Sequence, residues 1–225
     1  LENKLYLFDI DGTLIHAGKT PSRVFAESIE TVTGTPVVFP GGIFLGRTDT
    51  FIIREMLRLI DLPPADGYYD RIKKQFIQRM KDEFPVSADG FVIPGALEFV
   101  QQISADPRIN IGLVTGNFYA TAYIKLDKFG LASYFPSGGF GEDGEERIEL
   151  VFRAVERVSM LYKKDFLPEN ITVFGDTSRD IESARYYGYR SVGVSHVRDK
   201  TDLAAAKPDK LIDNFFELMK GNGTL

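Results

Sequence analysis

Three observations predict an α/β fold: a mostly parallel sheet with helices on both faces, plus an inserted α-helical cap. Apolar runs that read as buried strands alternate with amphipathic helical stretches from about Pro94 onward. Directly behind the first apolar run comes a segment with three helical stripes and no convincing strand, more than the one helix that a crossover between parallel strands requires. Polar residues gather just past the ends of three separate strands, where open parallel sheets bind ligands. The expected division is a sheet domain built from residues 1–14 and 89–225, with residues 15–88 as the cap.

The first strand is Leu5-Tyr6-Leu7-Phe8, and Gly12-Thr13 is the turn that ends it. In the insert, Phe25, Ile29 and Val32 recur at helical spacing. So do Ile53, Met56, Leu57 and Ile60, and then Tyr69, Ile72, Phe76 and Met80. Turn-forming pieces separate these stripes: Gly34-Thr35-Pro36, Pro40-Gly41-Gly42 and Leu62-Pro63-Pro64. Turns near Gly18 and at Asp89-Gly90 are the expected hinges. Pro94-Gly95 opens a helix carrying Leu97, Val100 and Ile103, with the proline in its first turn. Ile109 to Val114 is the next strand, and the helix from Tyr119 to Lys128 stops at Gly130. Tyr134 to Phe140 reads as a short strand and Glu149 to Leu161 as an amphipathic helix. Ile171 to Phe174 is a clear strand, and Arg190 to Val194 reads as the last one.

A chain of 225 residues can bury one good core with some left for a second small unit. With 44% hydrophobic and 26% charged residues it groups with globular proteins rather than disordered ones. No apolar stretch nears the ~18 residues that span a bilayer. The opening Leu1-Glu2-Asn3-Lys4 has no signal-peptide character, and there is no Cys for disulfides or thiolate chemistry. The expectation is a cytoplasmic protein that does not engage membranes. A net charge of −5 argues against nonspecific nucleic-acid binding, which needs a basic face. The only two histidines, His16 and His196, lie far apart, so a His-rich zinc site is not expected. A metal would be a hard cation held by oxygen, magnesium or a relative. Oligomeric state is not readable from the chain.

The chemistry concentrates in Asp9-Ile10-Asp11-Gly12-Thr13. Side chains alternate along an extended backbone, so two carboxylates two residues apart project to the same side. Like charges at a strand end are unfavourable unless a cation or a bound substrate compensates them. That arrangement suits a metal site and a nucleophile beside an acid. The strand ending at Val114 brings Thr115 and Asn117 to the same edge, and the strand ending at Phe174 brings Asp176 and Asp180.

In this order and strand context, the motifs resemble those of haloacid-dehalogenase-superfamily phosphatases with a helical cap just after the first strand, over essentially the whole chain. Asp9-Ile10-Asp11-Gly12-Thr13 is similar to the family's first motif, Thr115-Gly116-Asn117 to its second and Gly175-Asp176-Thr177-Ser178-Arg179-Asp180 to its fourth. Gly46-Arg47-Thr48-Asp49 resembles a cap-loop segment of phosphoglycolate-phosphatase-like members. The resemblance implies a Rossmann-like core and Mg²⁺-dependent hydrolysis of a small phosphorylated metabolite, such as phosphoglycolate, through an aspartyl-phosphate. Asp9 would be the nucleophile, and Asp11 first the acid and then the base. Mg²⁺ would be held by Asp9, the Asp11 backbone carbonyl and Asp176, with Asp180 supporting its shell. Gly12, Thr115, Gly116 and Asn117 would receive the phosphoryl group, while Arg47 and Phe44 would face the organic part.

The third motif departs from the pattern. The family normally places a Lys between the second and fourth motifs. Here Lys125 and Lys128 follow Thr115 too closely, and Lys163 and Lys164 fall beyond the intervening helix. Arg147, at the start of that helix, is the expected replacement, because Arg is always charged and can clamp phosphate bidentately. The alternative is a solvated Arg147 in the acidic loop from Glu142 to Glu149.

Other functions fit less well. Haloacid dehalogenation uses an Asp nucleophile but has no alkoxide to protonate, which leaves Asp11 unexplained. A sugar-phosphate mutase needs cap groups for both ends of its substrate, and none is identifiable. A non-enzymatic phospho-receiver or binding module gathers similar groups at strand ends but has no use for the insert.

Overall fold

The structure, a computed structural model, describes residues 3–39, 44–63 and 67–219. The expected turn Pro40-Gly41-Gly42, and Pro64 of the turn after it, lie outside the described residues. Along the chain, β1 (Lys4–Phe8) leads to the two-residue β2 (Ile15–His16). The helices α1 (Thr20–Thr33), α2 (Asp49–Leu59) and α3 (Tyr68–Glu83) come next, followed by β3 (Phe91–Val92). Then come α4 (Ala96–Ser104), β4 (Ile109–Val114), α5 (Tyr119–Lys128), β5 (Gly138–Gly139) and α6 (Arg147–Tyr162). The chain continues with β6 (Ile171–Gly175), α7 (Ser178–Tyr186), β7 (Arg190–Val194), α8 (Lys200–Ala205), β8 (Lys210–Ile212) and α9 (Phe216–Met219). No helix among the described residues is long and apolar enough to cross a membrane.

Six strands form one parallel sheet in the order β5-β4-β1-β6-β7-β8. β1 is central, with Phe8 opposite Leu113 of β4 and Phe174 of β6. The chain builds from β1 to β4 and β5, then crosses back to lay β6 on the other side of β1. The direction of building therefore reverses at the β1–β6 boundary, the switch point where open sheets bind ligands. Asp9 and Asp176 are the residues that follow those two strands.

Burial of β1 on both of its faces explains why a purely apolar run forms this strand. Leu5 and Leu7 pack with Leu150, Val151, Ala154 and Val158 of α6, while Tyr6 and Phe8 belong to the cluster on the opposite face. There Phe8 stacks on Phe174, centroids 4.3 Å apart, and meets Phe99 and Phe135 edge-on. Aromatic pairs of this kind contribute about 0.5–1.5 kcal/mol beyond the area they bury. The strand that presents Asp9 is thus clamped on both faces.

Three elements depart from expectation. The strand expected over Tyr134 to Phe140 shrinks to Gly138–Gly139: Ala132–Tyr134 forms a 3₁₀ turn, and Pro136 has no N–H to donate. A Cβ on Gly139 would overlap the Leu150 carbonyl, so the glycine lets α6 lie directly on this edge. Arg190–Val194 is not the last strand, because β8 pairs with it in parallel, Val192 opposite Lys210. Lys210-Leu211-Ile212 is too short to show a period in sequence. In addition, Pro94 lies outside α4, whose N-cap is Gly95 at φ +79°.

The insert is carried on the small antiparallel ribbon β2–β3. Its core comes from α1 and α3, where Phe25 stacks on Phe76 at 4.2 Å beside Val24, Ile29, Ile72 and Met80. Both expected hinge segments are fastened. Asp89 Oδ2 accepts from the Lys19 and Thr20 N–H groups (3.0 and 2.8 Å) and from Thr20 Oγ1 (2.8 Å), so the returning chain caps the start of α1. From α5, Lys128 Nζ donates to the carbonyls of Phe84, Ser87 and Asp89 and to Ser87 Oγ, at 2.8–3.1 Å.

That knot of charge-assisted bonds yields a prediction. Lys128→Met keeps an unbranched stem but removes every donor and the charge that lies over the Phe84 ring, and should lower stability by about 1–3 kcal/mol in urea unfolding. An unchanged midpoint would show that the knot contributes nothing.

Candidate active site

The site begins where β1 stops. The Asp9 N–H donates to the Phe174 carbonyl at 2.9 Å, which holds Asp9 against β6 one residue past the strand. The chain then turns, with the Gly12 N–H on the Ile15 carbonyl at 2.7 Å. Gly12 sits at φ +87°, and a Cβ there would overlap the Asp176 carboxylate, so both backbone and space demand glycine. Asp9 and Asp11 line the same cavity but take different cations.

Arg147 is the cation at Asp9. It is the first residue of α6, whose N-terminus is closed by a capping box: Glu149 Oε2 accepts from the Glu146 N–H at 3.0 Å. A helix N-terminus repels positive charge, so a buried Arg there needs compensation. Two carboxylates provide it. Arg147 Nε donates to Asp180 Oδ1 at 2.7 Å, and Nη2 pairs with that same oxygen. Nη2 also lies 2.7 Å from Asp9 Oδ1, close enough for an ion pair but without hydrogen-bond alignment. With 5% of its side chain exposed, Arg147 is not the solvated residue of the alternative reading.

Asp180 has its other oxygen in use as well. Its Oδ2 accepts from the Thr177 N–H (3.1 Å) and Oγ1 (2.6 Å), the capping box that starts α7. The helix cap therefore fixes Asp180, and Asp180 fixes Arg147. Asp176, at the end of β6, is met by Arg198 Nε at 2.6 Å. Carboxylate oxygens of Asp9, Asp176 and Asp180 all lie within 4.8 Å of one another, and all three residues are buried. Burial pushes the Asp9 carboxyl up to about 6, with Arg147 opposing and Asp180 and Asp11 adding to the rise. Burial pushes Asp176 up to about 8, reinforced by Asp9 and opposed by Arg198. An oxygen-only donor set with unrelieved mutual repulsion fits a small hard dication.

Asp11 has a different environment. Its Oδ2 accepts from Lys125 Nζ at 2.6 Å and from Asn117 Nδ2 at 2.7 Å, and Lys125 also donates to Asn117 Oδ1 at 2.6 Å. Burial alone would raise its pKa, but the Lys125 charge and these hydrogen bonds bring it below the usual carboxylate value. Asn117 Nδ2 in turn donates to Thr115 Oγ1 at 2.8 Å. Thr115, Gly116 and Asn117 thus stand beside Asp11, just ahead of the N-terminus of α5.

Lys125 and Arg198 are the site residues that sequence reasoning missed. Lys125 was set aside for its closeness to Thr115, yet it stands on the inward face of α5 with Thr121, Ala122 and Leu126. A lysine inside an apolar stripe was the available signal. Arg198 lies on the loop after β7, the strand next to β6, where the strand-end rule could have been extended. The remaining lysines serve elsewhere: Lys128 at the hinge, Lys163 as the left-handed C-cap of α6, and Lys164 on Asn110 Oδ1 at 3.2 Å.

The cap closes one side of a cavity of about 360 Å³ whose walls include Asp9, Asp11, Asn117, Arg147 and Asp176. The Asp49 N–H donates to the Gly116 carbonyl at 2.7 Å, and Asp49 Oδ2 accepts from the Phe118 N–H at 2.9 Å. Arg47 lines the cavity, but its guanidinium lies over the Phe51 ring at 4.1 Å and Nη1 pairs with Glu146 at 2.9 Å. Phe44 lines the same cavity from the cap side.

Comparison with known proteins places this geometry. A probable phosphatase IndB from Dickeya dadantii is 24% identical over 220 residues, covering 96% of this chain and 91% of that protein. A phosphoglycolate phosphatase from Agrobacterium fabrum is 26% identical over 220 residues, covering 95% and 90%. A solved structure from Haemophilus somnus 129PT, described as a predicted phosphoglycolate phosphatase, superposes with a TM-score of 0.72 at 18% identity, covering 98% of each chain. The family model for haloacid dehalogenase-like hydrolases matches residues 3–188, from β1 past the last carboxylate of the site, and the chain belongs to that family.

Proposed function

We propose that this hydrolase is a Mg²⁺-dependent phosphomonoesterase that works through an aspartyl-phosphate on Asp9 and acts on a small organic phosphate. One observation carries the reading: Asp9 stands at the switch point of the sheet, 2.7 Å from Arg147 and grouped with Asp176 and Asp180, on the wall of a capped cavity. The phosphatase names of the relatives support it, and phosphoglycolate is the substrate that one of those names supplies. We divide the chain as its sequence suggests, a cap over residues 15–88 between two parts of the sheet domain.

Asp9 attacks phosphorus in line, forming the bond from its carboxylate oxygen to phosphorus as the bond to the alkoxide breaks. Arg147 orients the attacking carboxylate and offers charge as the transition state develops. Thr115 and the amides of Gly116 and Asn117 receive phosphoryl oxygens ahead of α5. Asp11 gives its proton to the leaving alkoxide, then takes one from the water that cleaves the aspartyl-phosphate. Lys125 holds Asp11 ionised in the free site; an incoming dianionic phosphate opposes Lys125 and restores proton affinity to Asp11 when it must act as an acid. Asp9 and Asp176, with the Asp11 carbonyl and with Asp180 in support, would hold Mg²⁺, whose charge would keep Asp9 ionised beside phosphate.

Two expectations follow from this assignment. Arg147→Ala should cut kcat/KM by on the order of 10²-fold, and Arg147→Lys should recover part of that, since the charge returns without the fork. Near wild-type phosphate release from the folded Ala variant would remove Arg147 from the mechanism. Asp11→Asn should slow alkyl phosphates by roughly 10²–10⁴-fold and p-nitrophenyl phosphate much less, because the activated leaving group needs little protonation. Equal losses on both would count against Asp11 as the acid.

A further inference from the structure

On its cap side the cavity is walled by hydrocarbon. Phe25 of α1, Phe76 of α3, Ile52 of α2, and Phe39, Phe44 and Leu45 of the segment before α2 all line it. The rings form one continuous run: Phe76 stacks on Phe25 at 4.2 Å, Phe25 meets Phe39 edge-on at 5.6 Å, and Phe39 meets Phe44 edge-on at 5.7 Å.

Most polar groups on this side are already engaged. The Arg47 guanidinium lies over the Phe51 ring and its Nη1 pairs with Glu146, while its Nε has no hydrogen-bond partner. The Asp49 carboxylate accepts from the Phe118 N–H, and Ser22 Oγ donates to the Lys19 carbonyl. Among the described residues the other cations of the cavity, Lys125, Arg147 and Arg198, stand at the catalytic edge, each beside a carboxylate.

A substrate anchored by its phosphoryl group at that edge points its other end at the aromatic wall. A carboxylate there would lose its water and meet, among the described residues, one unpartnered side-chain donor, Arg47 Nε, whose guanidinium already faces Glu146, so its burial stays expensive. A ring or branched hydrocarbon would bury apolar surface and could stack. About 360 Å³ is near the lower limit of small-molecule sites, roughly 300–1,000 Å³, so the phosphoryl group leaves room for one ring or a short branched chain. Resting on the phosphatase reading, we infer that the substrates are phosphomonoesters of small apolar alcohols, and that a phosphorylated carboxylic acid such as phosphoglycolate is disfavoured.

The test compares kcat/KM for methyl phosphate, 2-phenylethyl phosphate and phosphoglycolate, with Mg²⁺ present, on wild type and Phe44→Ala. For wild type, 2-phenylethyl phosphate should exceed both others by at least about ten-fold, the scale of a filled hydrophobic pocket. Phe44→Ala, at a half-buried position, should lower the phenylethyl-to-methyl ratio by about five-fold or more. Phosphoglycolate equal to or better than 2-phenylethyl phosphate overturns the inference and leaves the phosphatase reading standing. An unchanged ratio in folded Phe44→Ala also overturns it. Phosphate release from none of the three, nor from p-nitrophenyl phosphate, overturns the phosphatase reading and this inference with it.

Discussion

Charge balance at the carboxyl edge of β1 and β6 is the constraint on which the rest of the structure depends. Four carboxylates, Asp9, Asp11, Asp176 and Asp180, share that edge with three cations, Lys125, Arg147 and Arg198. Each cation has its own partner: Lys125 serves Asp11, Arg198 serves Asp176, and Arg147 bridges Asp9 and Asp180. Negative charge remains in excess when all four are ionised; burial raises Asp9 to about 6 and Asp176 to about 8, and neighbouring carboxylates add to the rise. A dianionic phosphate would add to that excess, and one dication at the Asp9–Asp176 side would offset it.

Holding that cluster in place requires a rigid frame, which explains where the apolar mass lies. Phe8 and Phe174 stack directly beneath the residues that lead to Asp9 and Asp176. The N-termini of two helices, α6 and α7, meet at the edge, one bringing Arg147 and the other Asp180. The cap is held differently. Its cations Arg47, Arg54 and Lys73 pair with Glu146, Glu145 and Glu142 of the sheet domain, and most of these side chains are substantially exposed. Exposed pairs contribute about 0–1 kcal/mol each, so they add little to holding the cap. The buried bonds of Asp49 to Gly116 and Phe118 set the register of the cap on the sheet domain.

Strand ends made much of this legible in sequence. Leu5 to Phe8, Ile109 to Val114 and Ile171 to Phe174 are apolar runs that end in polar pairs, and the structure sets all three side by side. Arg147 was readable through the family resemblance, which expects a Lys between the second and fourth motifs and leaves Arg147 as the basic residue at the start of the right helix. Lys125 was not, because its meaning depends on which face of α5 turns inward, a tertiary fact. Arg198 was hidden for a similar reason: it follows β7, and strand order alone brings that loop to Asp176. The two-residue β5 and three-residue β8 lack the length for any periodic signal. Their pairing comes from neighbouring strands, as Asp209 shows by accepting from both Ser191 N–H and Oγ at 2.8 Å.

Thermal unfolding with and without Mg²⁺, read beside phosphate release, tests the charge-balance account most directly. Wild type should gain several degrees from millimolar Mg²⁺, because a ligand that binds only the folded state stabilises it. Asp176→Asn should lose most of that gain while remaining folded, and EDTA should abolish turnover of p-nitrophenyl phosphate by wild type. An unfolding temperature indifferent to Mg²⁺, together with undiminished turnover in EDTA, would contradict the account.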